Sequence, residues 1–458
     1  MRYKELAIKK AEDLVFGKAP KPVKTRRGLV IGNGIVYPEL NFTLPPMSIE
    51  SSTIGNIKEQ YRDIVRGALE RARQMYSPGV VFEFETLMEM TMNPQLGTDL
   101  VKIMNDECEE YFQKHGVKSE IRLTPNDIRD YERPPKQRTS KLLDKMMELF
   151  EKGGKAGGDL FSIESTGGKE IHDNALLMCN AREVIFALSV LGVRDMQMLW
   201  KKIVDVAKAQ NKIAAGDTAC GFGNTAMVLA EKGFIPKVFA AFDRIATITR
   251  TLVACEQGAV GPDKDCGYEG VFLKAIAGIP ISMEGKTAAC AHLSPVGNIA
   301  AACADLWSNE SIQNIKLLGE MAPTVYFEQL EYDVRLMNQA TKKGKSTALT
   351  LQELMIDSDT FYDPQALILA PKNVIAISNE LIQGKNYIDA TLRACNKGLD
   401  IIEEAYKSKQ LMLDDRETGY IDLIRAELST IPTDESAFVG EMLPFIDREK
   451  LLIEEYGL

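Results

Sequence analysis

Short apolar runs of β-strand character alternate with longer segments whose apolar residues recur every three or four positions. The strand candidates are residues 79–84, 120–124, 159–164, 212–217 and 281–284. The segments with helical periodicity are residues 57–75, 140–150, 196–209 and 225–231. A strand, a helix and another strand in succession is the pattern of a parallel sheet with helical crossovers.

Repetition of this unit over roughly 250 residues predicts a (β/α)8 barrel of the TIM type, whose reactive groups lie on the loops that follow the strands. Only five strands are legible in the sequence, so an open, doubly wound parallel sheet is the alternative fold. The motif Gly32-Asn33-Gly34 does not favour a dinucleotide-binding sheet, because it lacks a third glycine and a strand-to-helix context. We interpret it as a turn.

The pattern changes near residue 323, beyond which glycine is sparse and helical periodicity is nearly continuous. The helical segments there are residues 327–341, 365–382, 387–406 and 416–428. We therefore expect an N-terminal extension at residues 1–50, the barrel at residues 51–322 and a helical C-terminal region at residues 323–458. The last region would cover part of the barrel, form a subunit interface, dock a partner, or simply bury its own apolar stripes.

The formal net charge of -10 argues against functions that depend on clustered basic residues. Binding to nucleic acid or to an anionic membrane surface requires an excess of Lys and Arg, so neither is expected. The sequence shows no secretory signal pattern and no apolar run of about 20 residues, the length of a membrane helix. We expect a cytoplasmic protein.

Eight cysteines are scattered along the chain without a disulfide pattern, and we expect reduced thiols. The surroundings of Cys220 and Cys266 stand out, because glycine, aspartate and other small residues flank both. Such segments are typical of exposed loops, whereas most buried cysteines lie in apolar, helical surroundings. Glu164 ends one predicted strand, and Cys220 follows the next. Loops after neighbouring parallel strands can meet.

Two thiolates and one carboxylate would form a metal site if these loops converge. Zinc accepts both ligand types, and three protein ligands leave a fourth position for water or substrate, as catalytic sites do. The spacing of Glu164, Cys220 and Cys266 contains no local metal motif. Cys290 and His292, which follow the fifth predicted strand, are the rival ligands. The alternative without metal is a set of buried thiols and a hydrogen-bonded histidine.

Three further acids are candidates for a role in chemistry. Glu83 and Glu85 lie two residues apart at the end of the first predicted strand, so both should face the same side. They would bind a polar substrate, donate a proton, or pair with a basic loop residue. Asp217 precedes Cys220 by three residues and would orient that loop, hydrogen-bond a metal ligand, or form a simple turn.

Several segments resemble a known family: SIESTGGKE at 162–170, AGDTAC at 215–220, GAVGPDKDCGYE at 258–269 and MEGKT at 283–287. The resemblance extends over most of the chain and includes IGNG at 31–34, WSNES at 307–311 and DPQA at 363–366. With these segments the chain resembles the zinc-bearing subunit of methanol:corrinoid methyltransferase.

The resemblance implies a barrel and one zinc ion per chain, bound by Glu164, Cys220 and Cys266, which would also be the catalytic residues. It implies that methanol is activated at zinc and that its methyl group passes to the cob(I)alamin of a separate corrinoid protein. The chain lacks the Asp-x-His-x-x-Gly loop with which corrinoid carriers bind cobalt, so the corrinoid is expected on that partner. We expect a hetero-oligomer with the corrinoid protein or a homo-oligomer.

Two other functions fit the sequence. A related barrel methyltransferase would keep the metal ligands and use another methyl donor, such as a methoxylated aromatic compound, because a few pocket residues would decide the donor. A metal-free barrel or helical binding protein would bury both cysteines as apolar side chains, since one fold can serve unrelated functions. Zinc content separates the second possibility from the enzymes.

Overall fold

The strands of the computed structural model form one large parallel sheet and two small antiparallel pairs. The structure describes residues 2–43, 49–285, 294–312, 316–317 and 320–458. Its strands are β1 (Lys18–Lys24), β2 (Val30–Asn33), β3 (Tyr37–Thr43), β4 (Val80–Glu85), β5 (Ser119–Thr124), β6 (Leu160–Ile163), β7 (Ile213–Asp217), β8 (Ser282–Glu284), β9 (Leu306–Ile312), β10 (Lys316–Leu317) and β11 (Glu320–Met321). The large sheet has the order β7-β6-β5-β4-β3-β9-β8, and all its neighbours are parallel.

An extended segment at residues 260–263 closes this sheet into a barrel. On one side, the amide of Gly261 donates to the carbonyl oxygen of Ala215 in β7 at 2.9 Å. On the other side, the amide of Ser282 in β8 donates to the carbonyl oxygen of Asp263 at 3.3 Å. Eight extended segments therefore surround one axis. The predicted (β/α)8 barrel is confirmed, and the open sheet is excluded.

The five strands predicted from the sequence correspond to β4 through β8. The sequence pattern misses β3 and β9, which pair with each other in the sheet. Polar residues occupy inward positions of both strands: Glu39 and Ser308 are neighbours across the pair, and both are fully buried. Because these residues interrupt the apolar alternation, the usual sign of a strand is absent.

The α-helices of the described residues are α1 (Ile54–Gln74), α2 (Met88–Met92), α3 (Pro94–His115), α4 (Lys141–Ala156), α5 (Lys169–Leu177), α6 (Ala181–Phe186), α7 (Val193–Ala209), α8 (Thr225–Glu231), α9 (Lys237–Gln257), α10 (Gly270–Ala277), α11 (Val296–Ala301), α12 (Ala322–Lys343), α13 (Lys345–Asp357), α14 (Pro364–Leu369), α15 (Pro371–Ile382), α16 (Tyr387–Lys407), α17 (Asp415–Leu428) and α18 (Glu435–Met442). The predicted barrel helices correspond to α1, α4, α7 and α8. The helix predicted at 365–382 is divided into α14 and α15, because Pro371 disfavours helical geometry at the preceding residue. None of the described helices has both the length and the apolarity needed to cross a bilayer.

The hairpin of β1 and β2 covers the end of the barrel where the strands begin. Leu29 and Ile31 are fully buried there. They pack against residues near the beginnings of barrel strands, namely Tyr37, Val81, Leu160, Ala215 and Leu306. The interpretation of Gly32-Asn33-Gly34 as a turn is wrong for its first two residues, which belong to β2. The covered end leaves the opposite end of the barrel for access to a site.

The C-terminal helices cover one side of the barrel. Helices α16 and α17 pack on α9, and every residue from 238 to 255 of α9 is buried. A helix that is buried on all sides must be apolar on every face or must have its polar side chains hydrogen-bonded or ion-paired. Helix α12 packs on β3 and β9. The region boundaries at residues 50 and 322 stay predictions, but β3 and α12, which lie just outside them, pack within the barrel layers.

Replacing Lys274 with Met should lower the free energy of unfolding by about 3–5 kcal/mol, because the change leaves a buried charge without its partner. Lys274 is fully buried and donates to the carboxylate of Asp305 at 2.9 Å. Urea unfolding followed by circular dichroism would measure the change. Lys9→Met is the control, since Lys9 forms an exposed pair with Glu5. Equal unfolding midpoints for the two variants would contradict the prediction.

Candidate metal centre

The three predicted ligands meet at the open end of the barrel. Glu164 directly follows β6, Cys220 lies in the loop after β7, and Cys266 follows the closing segment 260–263. One potential ligand atom from each residue lies within 4.8 Å of the other two. Parallel strands end at the same edge of the barrel, so residues distant in sequence become neighbours. The structure therefore brings together the whole predicted set.

The local backbone presents both thiols to this point. Cys220 begins a π-helical turn, Cys220–Asn224, which leads directly into α8. Such turns frequently occur at functional sites. Cys266 has a φ of 48°, in the left-handed region that is costly for a residue with a side chain. The amide of Gly267 donates to the carbonyl oxygen of Asp265 at 2.6 Å, so a tight turn holds Cys266 in this strained conformation.

Asn224 joins the two cysteine loops. Its amide nitrogen donates to the carbonyl oxygen of Cys266 at 2.7 Å and lies 3.6 Å from the sulfur of Cys220. Its amide oxygen accepts a hydrogen bond from Arg244 at 3.2 Å, which orients the side chain. A donor beside a sulfur favours the thiolate, the form that binds metals. Asn224 therefore both fixes the distance between the loops and favours the reactive form of Cys220.

Asp217 ties the Glu164 loop to the Cys220 loop. Its carboxylate accepts from the amides of Ser165 at 3.2 Å and Thr218 at 2.8 Å, the residues that follow β6 and β7. The indole nitrogen of Trp200 donates to it at 2.7 Å. Burial raises the pKa of Asp217 to about 6, although Arg250 lowers it. Of the predicted roles for Asp217, the contacts support orientation of the loop.

Lys264 is the buried cation beside these ligands. Its ammonium nitrogen lies 3.3 Å from Glu164 Oε1, 3.0 Å from Glu83 Oε1 and 3.5 Å from Glu85 Oε2. It also forms a close ion pair with Asp265. Glu83 and Glu85 thus share one face of β4, as predicted. Their pairing with a lysine supports the structural interpretation of these two acids.

Burial determines the protonation of the three predicted ligands. It raises the pKa of Glu164 to about 7, with a further increase from nearby Glu85. Burial also raises the pKa of Cys266 well above its usual range. A hydrogen bond with Cys266 lowers the pKa of Cys220, but burial and Glu164 raise it overall to about 11. At neutral pH both thiols therefore hold protons, which a divalent cation would displace.

The donor set fits zinc. Two sulfur atoms and one carboxylate are ligands that zinc accepts, whereas magnesium and calcium require oxygen ligands throughout. Three protein ligands also match the catalytic type of zinc site, which keeps one position open. The rival ligands Cys290 and His292, together with Lys286 and Thr287 of the resemblance, lie outside the described residues.

A cavity of about 220 Å³ adjoins the ligands. Residues at or beyond the ends of four successive barrel strands line it, among them Glu85, Asn126, Tyr131, Glu164, Lys169 and Phe222. Its volume is below that of pockets that enclose drug-sized ligands, so it suits a very small substrate. A larger cavity of about 480 Å³ lies between the N-terminal segment and α12–α13, away from the three ligands.

Three residues that organise the site escape the sequence analysis: Lys264, Asn224 and Glu269. Glu269 accepts a hydrogen bond from the amide of Ala219 at 2.7 Å and so fixes the residue before Cys220. All three lie within a few residues of a cysteine ligand. Closeness to a cysteine in the sequence was the signal that could have identified them. Most of the groups that these three side chains contact lie in other loops, and the sequence does not show those contacts.

Known proteins match the chain over its whole length. The family model for the methanol-cobalamin methyltransferase B subunit matches residues 1–457. The methanol–corrinoid protein co-methyltransferase of Methanosarcina barkeri (strain Fusaro / DSM 804) is 35% identical over 469 aligned positions, which cover 100% of this chain and 99% of that protein. In the crystal structure of the methanol:cobalamin methyltransferase complex MtaBC from Methanosarcina barkeri, a chain 34% identical to this one matches with a TM-score of 0.95, covering 100% and 99% of the two chains. The chain therefore belongs to the methanol-cobalamin methyltransferase B subunit family.

Proposed function

We propose that the chain activates methanol and transfers its methyl group to the corrinoid of a partner protein. The observation that carries this proposal is the convergence of Glu164, Cys220 and Cys266 at the mouth of a barrel that matches this family from end to end. A relative that shares the full length of the chain is named for methanol and a corrinoid protein. The proposed enzyme is thus a methanol:corrinoid protein Co-methyltransferase.

We assign one zinc ion to the three ligands on the basis of their donor atoms. Zinc would supply a Lewis acid that makes the methanol oxygen a better leaving group. Two thiolates and a carboxylate carry three negative charges, so the site with a bound divalent cation would have a net charge of about -1. The ammonium group of Lys264, 3.3 Å from Glu164, supplies the compensating positive charge.

The transfer requires an electron pair on one side of the methyl carbon and a departing oxygen on the other. The carbon–oxygen bond of methanol breaks with both electrons on oxygen, while the carbon accepts the electron pair of cob(I)alamin. The oxygen leaves as hydroxide and takes up a proton to become water. The cavity walls would hold the methyl carbon in line for this exchange. The polar side chains that line the cavity, among them Asn126 and Lys169, favour methanol over a methoxylated aromatic donor.

The partner must present the corrinoid at the end of the barrel where the cavity lies. This chain has no Asp-x-His-x-x-Gly loop of its own for cobalt, and a structurally matched chain comes from a complex, MtaBC. We infer a hetero-oligomer in which the partner covers the strand ends. A cytoplasmic setting suits the free thiols of the described cysteines, because disulfides form mainly in oxidising compartments.

The purified protein should contain one zinc ion per chain, and Cys266→Ala should weaken zinc binding by at least about 100-fold, since even outer partners of zinc ligands account for 10–100-fold. Mass spectrometry of the metal and competition with a chromophoric chelator would measure both quantities. Cys395→Ala is the matched control, because Cys395 is buried on α16 away from the site. Metal-free wild-type protein, or unchanged affinity in C266A, would refute the assignment.

Zinc binding should strengthen steeply with pH, because zinc and protons compete for the ligand atoms. Glu164 has a pKa of about 7, Cys220 has a pKa of about 11, and burial raises the pKa of Cys266 well above its usual range, so zinc displaces three protons from the ligands below pH 7 and two above it. The logarithm of the association constant should rise by about three per pH unit below pH 7 and by about two above it. Chelator competition across this range gives the slope, and a pH-independent constant would contradict the assignment.

With the reduced corrinoid partner, the protein should form methylcobalt from methanol and not from a methoxylated aromatic compound, because the largely polar lining of the cavity suits a hydroxyl compound better than an apolar ring. Visible absorption of the corrinoid would follow the reaction. Cys220→Ala should abolish it through loss of the metal, whereas Cys395→Ala should react like the wild type. Transfer from a methoxyarene but not from methanol would overturn the assignment of the substrate.

A further inference from the structure

Lys264 holds acids that are not among the predicted metal ligands. Its side chain is fully buried, and its ammonium nitrogen lies 3.0 Å from Glu83 and 3.5 Å from Glu85. Asp265 pairs with the same nitrogen and also accepts a hydrogen bond from Ser308 at 2.5 Å, so the lysine is fixed in place. One cation therefore serves several carboxylates at the edge of the metal centre.

Glu85 is the acid best placed to interfere with the metal. Its side chain is 34% exposed and lines the same cavity as Glu164. An oxygen of each carboxylate lies within 3.5 Å of the Lys264 nitrogen, so the two acids are close neighbours. A carboxylate is a good zinc ligand, and an unpaired carboxylate beside a site with an open position would bind there. Glu85 and Glu164 carry the same carboxylate group, so the side chain itself does not decide which of the two binds the metal.

We propose that Lys264 is a positioning residue that keeps Glu85 from binding the metal, so that the fourth position stays open for methanol. The inference rests on the proposed function. The ammonium nitrogen of the lysine lies 3.5 Å from Glu85, 3.3 Å from Glu164 and 4.0 Å from the sulfur of Cys266, so it contacts Glu85 and two of the predicted ligands at once. The charge of the lysine also offsets part of the negative charge that two thiolates and a carboxylate bring to the site, so the lysine is compatible with a bound divalent cation.

Cobalt(II) substituted for zinc reports the coordination number directly, because four-coordinate cobalt absorbs visible light several-fold more strongly than cobalt with five or six ligands. The wild type should show the intense ligand-field bands of a four-coordinate site, together with thiolate-to-cobalt charge-transfer bands. In Lys264→Met, Glu85 keeps the hydrogen bond from the side-chain amide of Asn41 at 3.3 Å but loses its cation, and it should bind the metal. The ligand-field bands should then weaken at least about twofold while the charge-transfer bands persist.

The double variant K264M/E85Q separates this effect from loss of the lysine itself. Glutamine is a weaker metal ligand than a carboxylate, so the intense four-coordinate spectrum should return. Lys274→Met is the matched control: Lys274 is equally buried and paired with Asp305, away from the ligands, and its loss should leave the spectrum of the folded protein unchanged. If K264M does not fold, the double variant E83Q/K264M replaces it, because it removes one buried negative charge together with the lysine. Its cobalt spectrum is then compared with that of the triple variant E83Q/E85Q/K264M.

A four-coordinate spectrum in K264M would overturn the proposal. So would loss of cobalt binding in K264M, because that result would mean that the lysine holds Glu164 in place instead of restraining Glu85. A failure of E85Q to restore the spectrum would also overturn it. Absence of thiolate-to-cobalt bands in the wild type is a different result, since it would contradict the metal site and the proposed function on which the inference rests.

Discussion

The structure depends on charges paired inside the barrel. Arg122 donates to Glu39 at 2.6 Å and Lys264 lies 3.0 Å from Glu83, and all four side chains are fully buried. An unpaired charge at such a position would cost several kcal/mol. Strands β3, β4 and β5 and the segment that closes the barrel must therefore meet in the register that satisfies these pairs. Most barrels of this type fill their interior with branched apolar side chains, and this one departs from that pattern.

The proposed metal centre is built on this polar interior. Each ligand lies on a different loop, and no pair of ligands shares a local motif. Asn224 connects the two cysteine loops, and Asp217 connects the loop of Glu164 to that of Cys220. Both links are made by protein side chains alone, so they hold the ligand loops together without a contribution from the metal. Such preorganisation reduces the cost of ordering the site on binding.

The sequence pattern revealed those parts of the barrel whose strands are apolar. Strands β4 through β8 and helices α1, α4, α7 and α8 follow from hydrophobic periodicity alone. Strands β3 and β9 do not, because Glu39 and Ser308 are buried through pairing with groups elsewhere in the barrel. The composition around Cys220 and Cys266 marked both as loop residues. Lys264, two positions before Cys266, remained indistinguishable from a solvated lysine.

By itself the sequence determined the alternating architecture, the acidic and thiol-bearing residue types at the strand ends, and a family resemblance that the full-length matches confirm. Only the tertiary structure decided that the three side chains lie within 4.8 Å of one another and that Lys264 holds the neighbouring acids. The physical reason is that periodicity records which face of an element is buried. A polar side chain, in contrast, becomes buried through partners that lie far away in the sequence, as Glu83 does for Lys264. Closure of the barrel brings those partners together.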